Sequence, residues 1–205
     1  MRHDTPSFDN IALVNEHILA KKNTEYSYVS RMISSKPVNS NNNWRMEIGT
    51  ESGTNVPIYV IVGFQSADRA GPNQEQNNAI FDRLDVIEAS CNVGTVRYPE
   101  HEYQVDFDRN KYNEPYNEIR RFYKDYIKGE GMPYITFKDF KELYNLWVFD
   151  LRAQKDNPSA QPIQVNFKFR AGYDAVANNY QATALVLTQK IISVSSDNGG
   201  QFDII

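Results

Sequence analysis

Residues 163–170 alternate strictly between apolar and polar side chains, and this pattern constrains the fold more than any other feature of the sequence. The apolar members are Ile163, Val165, Phe167 and Phe169. A period of two places these four on one face of an extended strand, while the residues between them point the other way. The segment therefore predicts a β-strand with one face in a hydrophobic core.

A second run, residues 58–64, is apolar on both faces. Such a strand is expected in the interior of a sheet that is covered on both sides. Trp44, Met46 and Ile48 add another half-buried strand, because polar residues separate them. Together these segments predict an all-β core.

The remaining pattern adds strands at both ends of the chain and one helix between them. Further strands are expected at 26–33, 86–91, 93–98, 103–107, 146–151 and 183–194. Helical spacing predicts an amphipathic helix at 114–128, with Asn113 as its cap and Gly129 at its end, and a shorter helix at 136–143. Strands and helices do not alternate, so we expect a single jelly-roll β-sandwich with one long helix insertion. Residues 1–25 are predicted as an N-terminal arm or remnant strand, and residues 26–205 as the jelly roll.

The charge balance and the cysteine count exclude several classes of protein. The chain of 205 residues has 22 Lys and Arg against 26 Asp and Glu, a net charge of -4, whereas coating nucleic acid requires a positive surface. Its one cysteine excludes an internal disulfide and a zinc site built on cysteines. Residues 1–10 lack the apolar core of a signal peptide and no apolar run is long enough to span a bilayer, so neither secretion nor a membrane role is expected.

A few side chains have the chemistry of a site, but each also has an ordinary structural interpretation. Asp106 and Asp108 lie two residues apart, with Asp82 and Asp85 upstream. They could hold a hard cation or act as an acid–base pair, but the pattern lacks the glycine turn and further ligands of a calcium loop. A solvated strand edge, with Arg109 and Lys111 as partners, is the simpler interpretation.

Cys91 and His101, with Glu102 beside the histidine, have the residue types of a catalytic cysteine–histidine dyad. Spacing alone does not specify a catalytic cysteine, and a buried inert thiol is the common case. His3 and His17 support no site. No glycine-rich phosphate loop or nucleophile elbow is present. We therefore expect no catalytic residue, no cofactor and no bound metal.

The predicted helix carries a row of tyrosines that allows two interpretations. Its members are Tyr112, Tyr116, Tyr123 and Tyr126, beside a basic face of Arg120, Arg121, Lys124 and Lys128. The tyrosines could stack on bases or sugars, or they could pack the helix against a sheet edge. The acidic charge balance favours packing, with the basic residues on the solvated side.

Several segments together resemble a known family. They are Trp44-Arg45-Met46-Glu47-Ile48, Val56-Pro57-Ile58-Tyr59-Val60-Ile61-Val62-Gly63-Phe64-Gln65, Asn77-Asn78-Ala79-Ile80-Phe81-Asp82, Val96-Arg97-Tyr98-Pro99 and Asp106-Phe107-Asp108. Their order resembles the double jelly-roll-like domain in the major capsid proteins of Polinton/Maverick elements and adintovirus-like viruses. The basic polar loop that follows the second segment in this family is matched here by a loop that carries Arg69. The strands at 148–151, 163–169 and 183–192 match the end of that domain.

The resemblance implies a structural protein without enzymatic activity. Capsid proteins of this family carry two jelly rolls and assemble as trimers, and this chain is similar to the C-terminal jelly roll. It implies self-association as a homotrimer, contacts with other capsid subunits, location in the virion capsid after assembly inside the host cell, and no direct sequence-specific binding of nucleic acid. We also expect that the apolar strand 58–64, Trp147, Phe149 and the tyrosine face are too much for one small core, so that part of this surface lies between subunits.

Two other functions remain open. A jelly roll can bind a carbohydrate or a protein partner through its loops, and residues 66–78 and 110–131 would supply that surface. An enzyme ranks third among the three functions, because no motif supports one.

Overall fold

The computed structural model describes residues 24–39, 41–49, 56–70, 77–127, 135–153, 161–171, 179–194 and 202–204. Within these ranges the chain forms nine strands. They are β1 (Thr24–Pro37), β2 (Asn43–Ile48), β3 (Val56–Ser66), β4 (Val86–Val93), β5 (Val96–Gln104), β6 (Leu146–Asp150), β7 (Ile163–Phe169), β8 (Tyr180–Val194) and β9 (Phe202–Ile204). The helical elements are a 3-10 turn (Ala67–Ala70), α1 (Asn113–Phe122), a π-helical turn (Tyr123–Ile127) and α2 (Phe137–Glu142).

The strands form two sheets. The first has the order β1-β8-β3-β6, with β9 paired to β8, and the second has the order β2-β7-β4-β5. This is a jelly-roll-like β-sandwich with a helical insertion, so the predicted fold class is confirmed. The chain divides into two compact units. Residues 31–188 contain the sandwich, and the described residues 24–30, 189–194 and 202–204 belong to the other unit, in which Ile192 pairs with Ile204.

The apolar face of β7 lies in the core, as its alternation predicts. All four apolar side chains of this strand are at most 2% exposed, and the polar ones between them are half-buried. Phe167 is paired in register with Trp44 of β2 and with Ala89 of β4. Across the sandwich its ring packs on Phe64 of β3. The second sheet is therefore joined to the first through aromatic contacts.

Strand β3 lies in the interior of its sheet and is covered on both faces. Val60, Val62 and Phe64 are fully buried. Tyr59 points to the other side, where its ring meets Phe122 at 5.0 Å between centroids. The prediction for residues 58–64 is confirmed, and the cover on the outer side is the chain's own helical insertion.

The predicted helix at 114–128 exists but changes form along its length. The α-helix ends at Phe122, and the chain continues as the π-helical turn. Asn113 was expected to cap the helix, but it is the first helical residue, and the capping position is Tyr112, whose side chain makes no capping bond. Helix α2 has a full capping box, in which Thr136 and Asp139 each accept a bond from the other's backbone N–H.

Some boundaries differ from the prediction. Tyr103 and Gln104 end β5, and residues 105–107 do not form a strand of their own, since a tight turn begins at Asp106. The turn between β4 and β5 lies at Gly94 and Thr95, whereas the sequence predicted it at residues 92–94. Of the predicted N-terminal arm, 1–25, residues 1–23 lie outside the described residues, and Thr24 and Glu25 already belong to β1.

Candidate interaction surface

The tyrosine row of α1 packs the helix against its surroundings. The Tyr112 hydroxyl donates to the carbonyl oxygen of Phe137 at 3.2 Å, and the Tyr116 hydroxyl donates to that of Ile135 at 3.2 Å. The ring of Tyr112 also stacks on Phe137 at 4.0 Å between centroids. Tyr126 stacks on Phe122. These rings are engaged within the chain, as the packing interpretation predicts.

The expectation that the apolar surface exceeds one core is wrong. Trp147 and Phe149 are completely buried within the chain, and Tyr112 is only 2% exposed. The physical reason is that Trp147 and Phe149 face the second sheet and pack on Phe167, while the insertion covers the outer side, where Phe122 meets Tyr59. These residues are therefore not available for contacts between subunits.

A single arginine fastens the π-helical turn to the sheet. The Arg152 guanidinium donates to Asp150 at 2.6 Å and to Asp125 at 2.8 Å. It also lies over the Tyr59 ring, 4.9 Å from the centroid. Burial, with the nearby Asp150 carboxylate, raises the pKa of the Tyr59 phenol to about 12. This cluster positions the insertion, and its charged groups, Arg152, Asp125 and Asp150, are paired with one another.

The basic face of α1 is largely engaged with its own helix. Arg121 pairs with Glu118 one turn away, and the guanidinium of Arg120 lies 5.9 Å from the Tyr116 ring. Lys124 is exposed, and Lys128 lies outside the described residues. Burial raises the pKa of the Glu118 carboxyl, although Arg121 opposes this. The face matches the predicted solvated side of the helix.

Asp106 and Asp108 lie in a turn rather than on a strand face. One Asp106 oxygen accepts the backbone N–H groups of Asp108 and Arg109 at 3.1 Å, which is the bonding of an Asx turn. Asp108 accepts from Arg170 at 2.7 Å, and this bond lowers the pKa of the Asp108 carboxyl. Arg109 lies 3.6 Å from Asp106, as expected, whereas Lys111 contacts Asp106 only through the backbone.

The upstream aspartates are also held by arginines. The Arg69 guanidinium donates to both carboxylate oxygens of Asp82, at 2.9 and 3.0 Å, and each side chain is 20% exposed. Asp85 lies 3.8 Å from Arg83. Arg69 belongs to the loop 66–78, which was expected to supply a binding surface, yet this arginine joins the loop to Asp82 of the sandwich. Within the described residues no three acidic, histidine or cysteine side chains are grouped so that they could hold a metal ion.

Cys91 and His101 are separated by their environments. Cys91 is completely buried on β4, and burial raises the pKa of its thiol to about 12. His101 is exposed on β5. A nucleophilic cysteine needs a lowered pKa and access to substrate, so the thiol has the properties of a core residue.

An open groove lies between β5 and α1, with a volume of about 1070 Å³. One wall is formed by Tyr98, Pro99, Glu100 and His101 of β5, and the other by Glu114, Asn117, Glu118 and Arg121 of α1. The groove is the candidate binding surface of the chain.

The family model of the double jelly roll-like domain matches residues 17–192. The chain belongs to this family. The two-sheet sandwich described above agrees with a double jelly roll-like domain, and the match extends over most of the chain. The described part of this double jelly roll-like domain contains no helix long and apolar enough to cross a membrane.

Two solved viral structures are similar to this double jelly roll-like domain. The crystal structure of VP54 of the virus PBCV-1, fitted into a cryo-EM reconstruction of the virophage Sputnik, shares 8% identity over 93% of this chain and 53% of its own, with a TM-score of 0.48. A quasi-atomic model of the PBCV-1 capsid shares 7% identity over 94% of this chain and 54% of its own, with a TM-score of 0.42. The chain thus spans about half the length of these structures. No curated protein sequence matches it.

Sequence reasoning missed the residues that organise this surface. Arg152 and Arg170 meet their acidic partners only through the fold, because 27 residues separate Arg152 from Asp125 and 62 separate Arg170 from Asp108. The groove wall on β5 arises from an irregular pairing with β4. The sequence carries one hint of it, since Pro99 interrupts a strand and proline in a strand favours an edge or a bulge.

Proposed function

We propose that this chain is a capsid-type structural module that acts by assembling with further copies of itself. Membership of the double jelly roll-like domain family over residues 17–192 carries this proposal. The ordered segments between Trp44 and Phe169 that resemble Polinton/Maverick and adintovirus-like capsid proteins support the finer assignment. The module would act as a homotrimer within a virion shell, after assembly inside the host cell.

The surface that remains for assembly lies outside the aromatic core. Ile33 of the edge strand β1 is 70% exposed, and β1 pairs on one side only, with β8, among the described strands. An exposed apolar residue on an edge strand favours contact with another chain. We place Ile33 at a contact between copies.

Native mass spectrometry tests this proposal directly. The wild-type protein is expected to show a species with three times the mass of the chain, and Ile33→Lys is expected to reduce it. Leu143→Lys is the matched control, because Leu143 is also an exposed apolar residue, 37% exposed, but lies after α2. Only monomer in the wild type would contradict the assembly role.

The second candidate function is a binding module that recognises a partner through its insertion. The groove beside α1 favours it, because a volume of about 1070 Å³ is large enough to take a ligand. One wall of this groove lies within the predicted surface 110–131 and is formed by Glu114, Asn117, Glu118 and Arg121. A screen of soluble glycans and peptides against the immobilised chain separates a carbohydrate partner from a protein partner.

A further inference from the structure

The groove owes its shape to an irregularity in β5. Ala89 pairs with Tyr103, whereas Cys91 pairs with Tyr98. One residue of β4, Ser90, therefore lies opposite four residues of β5, residues 99–102. A bulge of this kind turns side chains away from the sheet and is common next to functional sites. Here it moves Glu100 and His101 into the wall of the groove.

The bulge also determines how a partner can bind. A strand that adds to a sheet needs a regular row of free backbone groups along the edge. Residues 99–102 interrupt that row, and Pro99 has no N–H to offer. Recognition in this groove must therefore depend on side chains rather than on strand pairing.

The side chains give the groove an excess of negative charge. Its lining has four carboxylates and two guanidinium groups, and the carboxylates are Glu100, Glu114, Glu118 and Asp150. Glu118 is paired with Arg121, and Asp150 with Arg152. Arg97, the other guanidinium of the lining, is paired with Glu102. Glu100 and Glu114 form no ion pair within the described residues.

The groove also offers apolar surface next to the carboxylates. Tyr98 and Pro99 are half-buried and line it, together with the buried Tyr103. The aliphatic stems of lysine and arginine cover such surface while their charged ends reach a carboxylate. Ring faces add a further attraction for the cation.

We propose that this groove binds a lysine- or arginine-bearing segment of a partner polypeptide, with Glu100 and Glu114 as the anionic contacts. The charge excess and the adjacent aromatic surface are complementary to that chemistry. This proposal rests on the second candidate function, the binding module, and names the chemical class of its partner. Its failure would leave the assembly role untouched, because the test requires no self-association.

A fluorescent octapeptide of alternating glycine and lysine is a suitable probe, with the glycine–glutamate octapeptide as its control. Binding is measured by fluorescence anisotropy at about 50 mM and about 200 mM salt. The basic peptide is expected to bind, to bind more weakly at higher salt, and to shift amide resonances of residues 97–103 and 114–121, except those of Pro99 and Pro115, which have no N–H. Absence of binding up to about 1 mM, or equal binding of the acidic peptide, would overturn the proposal.

The double variant Glu100→Gln/Glu114→Gln is expected to weaken binding about five-fold or more, since two exposed ion pairs are lost. Glu47→Gln/Glu142→Gln changes the net charge equally at exposed positions outside the groove. This control is expected to change affinity by less than about two-fold. An equal loss in both variants would show attraction to the overall charge and would overturn the site.

Discussion

Phe64 and Phe167 pack edge to face across the sandwich, with ring centroids 4.9 Å apart and planes at 81°. Phe64 is completely buried on β3 and Phe167 is 2% exposed on β7. Replacing Phe167 with alanine removes this contact and leaves a cavity in a close-packed interior. We expect a loss of about 3–5 kcal/mol in the free energy of unfolding, measured by denaturant titration.

The neighbouring residue supplies the control for that variant. Lys168 points away from the core and pairs with Glu88 at 2.9 Å, with 45% of its side chain exposed. Lys168→Ala is expected to cost less than about 1 kcal/mol, because exposed ion pairs contribute little. Similar losses in both variants would contradict the assignment of the inner face of β7.

The capping box of α2 is the second target. The Thr136 hydroxyl accepts the N–H of Asp139 at 3.1 Å, and the Asp139 carboxylate accepts the N–H of Thr136 at 3.2 Å. Thr136→Ala is expected to destabilise the chain by about 1 kcal/mol, measured as a lower denaturation midpoint. Lys138→Ala, on the same helix and 77% exposed, should stay within about 0.5 kcal/mol of the wild type.

Cys91 should react only when the chain opens. Its thiol is completely buried, and burial raises its pKa from 9.0 to about 12. Because the folded-state pKa is the higher one, the neutral thiol contributes stability that is complete below pH 9 and is lost as the pH rises toward 12. A thiol reagent at neutral pH is expected to label the native protein at least about a hundredfold more slowly than the denatured protein. Equal rates would show an accessible thiol.

The Asp108–Arg170 bond determines how stability should change at acidic pH. The bond from Arg170 holds the pKa of the Asp108 carboxyl below its ordinary value of 3.8. Its contribution to stability is therefore present above pH 3.8 and is lost as the pH falls below the ordinary value. In Arg170→Gln the Asp108 pKa should return toward 3.8, as measured by carboxyl NMR titration. An unchanged pKa would mean that the bond does not form in solution.

Calcium tests the Asx-turn interpretation of Asp106. Its carboxylate already accepts two backbone N–H groups, so we expect no rise in melting temperature when calcium is added. Asp106→Ala should behave in the same way toward calcium. A rise of several degrees in the wild type that disappears in Asp106→Ala would establish a cation site instead.

Local patterns predicted the core strands because period and burial agree there. The alternation of β7 and the doubly apolar β3 depend only on near neighbours, and the structure confirms both. The groove and its walls could not be predicted in this way. They depend on the register shift opposite Ser90 and on how the insertion meets β6 through Arg152. The error about excess apolar surface has the same origin, because the sequence does not reveal that Trp147 and Phe149 face the second sheet or that Phe122 of the insertion covers Tyr59 on the outer side.

The central claim is that this double jelly roll-like domain assembles with copies of itself, and sedimentation velocity over a wide range of protein concentration tests it most directly. The account predicts that the sedimentation coefficient rises with concentration toward that of a trimer at tens of micromolar. A single species with the sedimentation coefficient of a monomer at every concentration would contradict it.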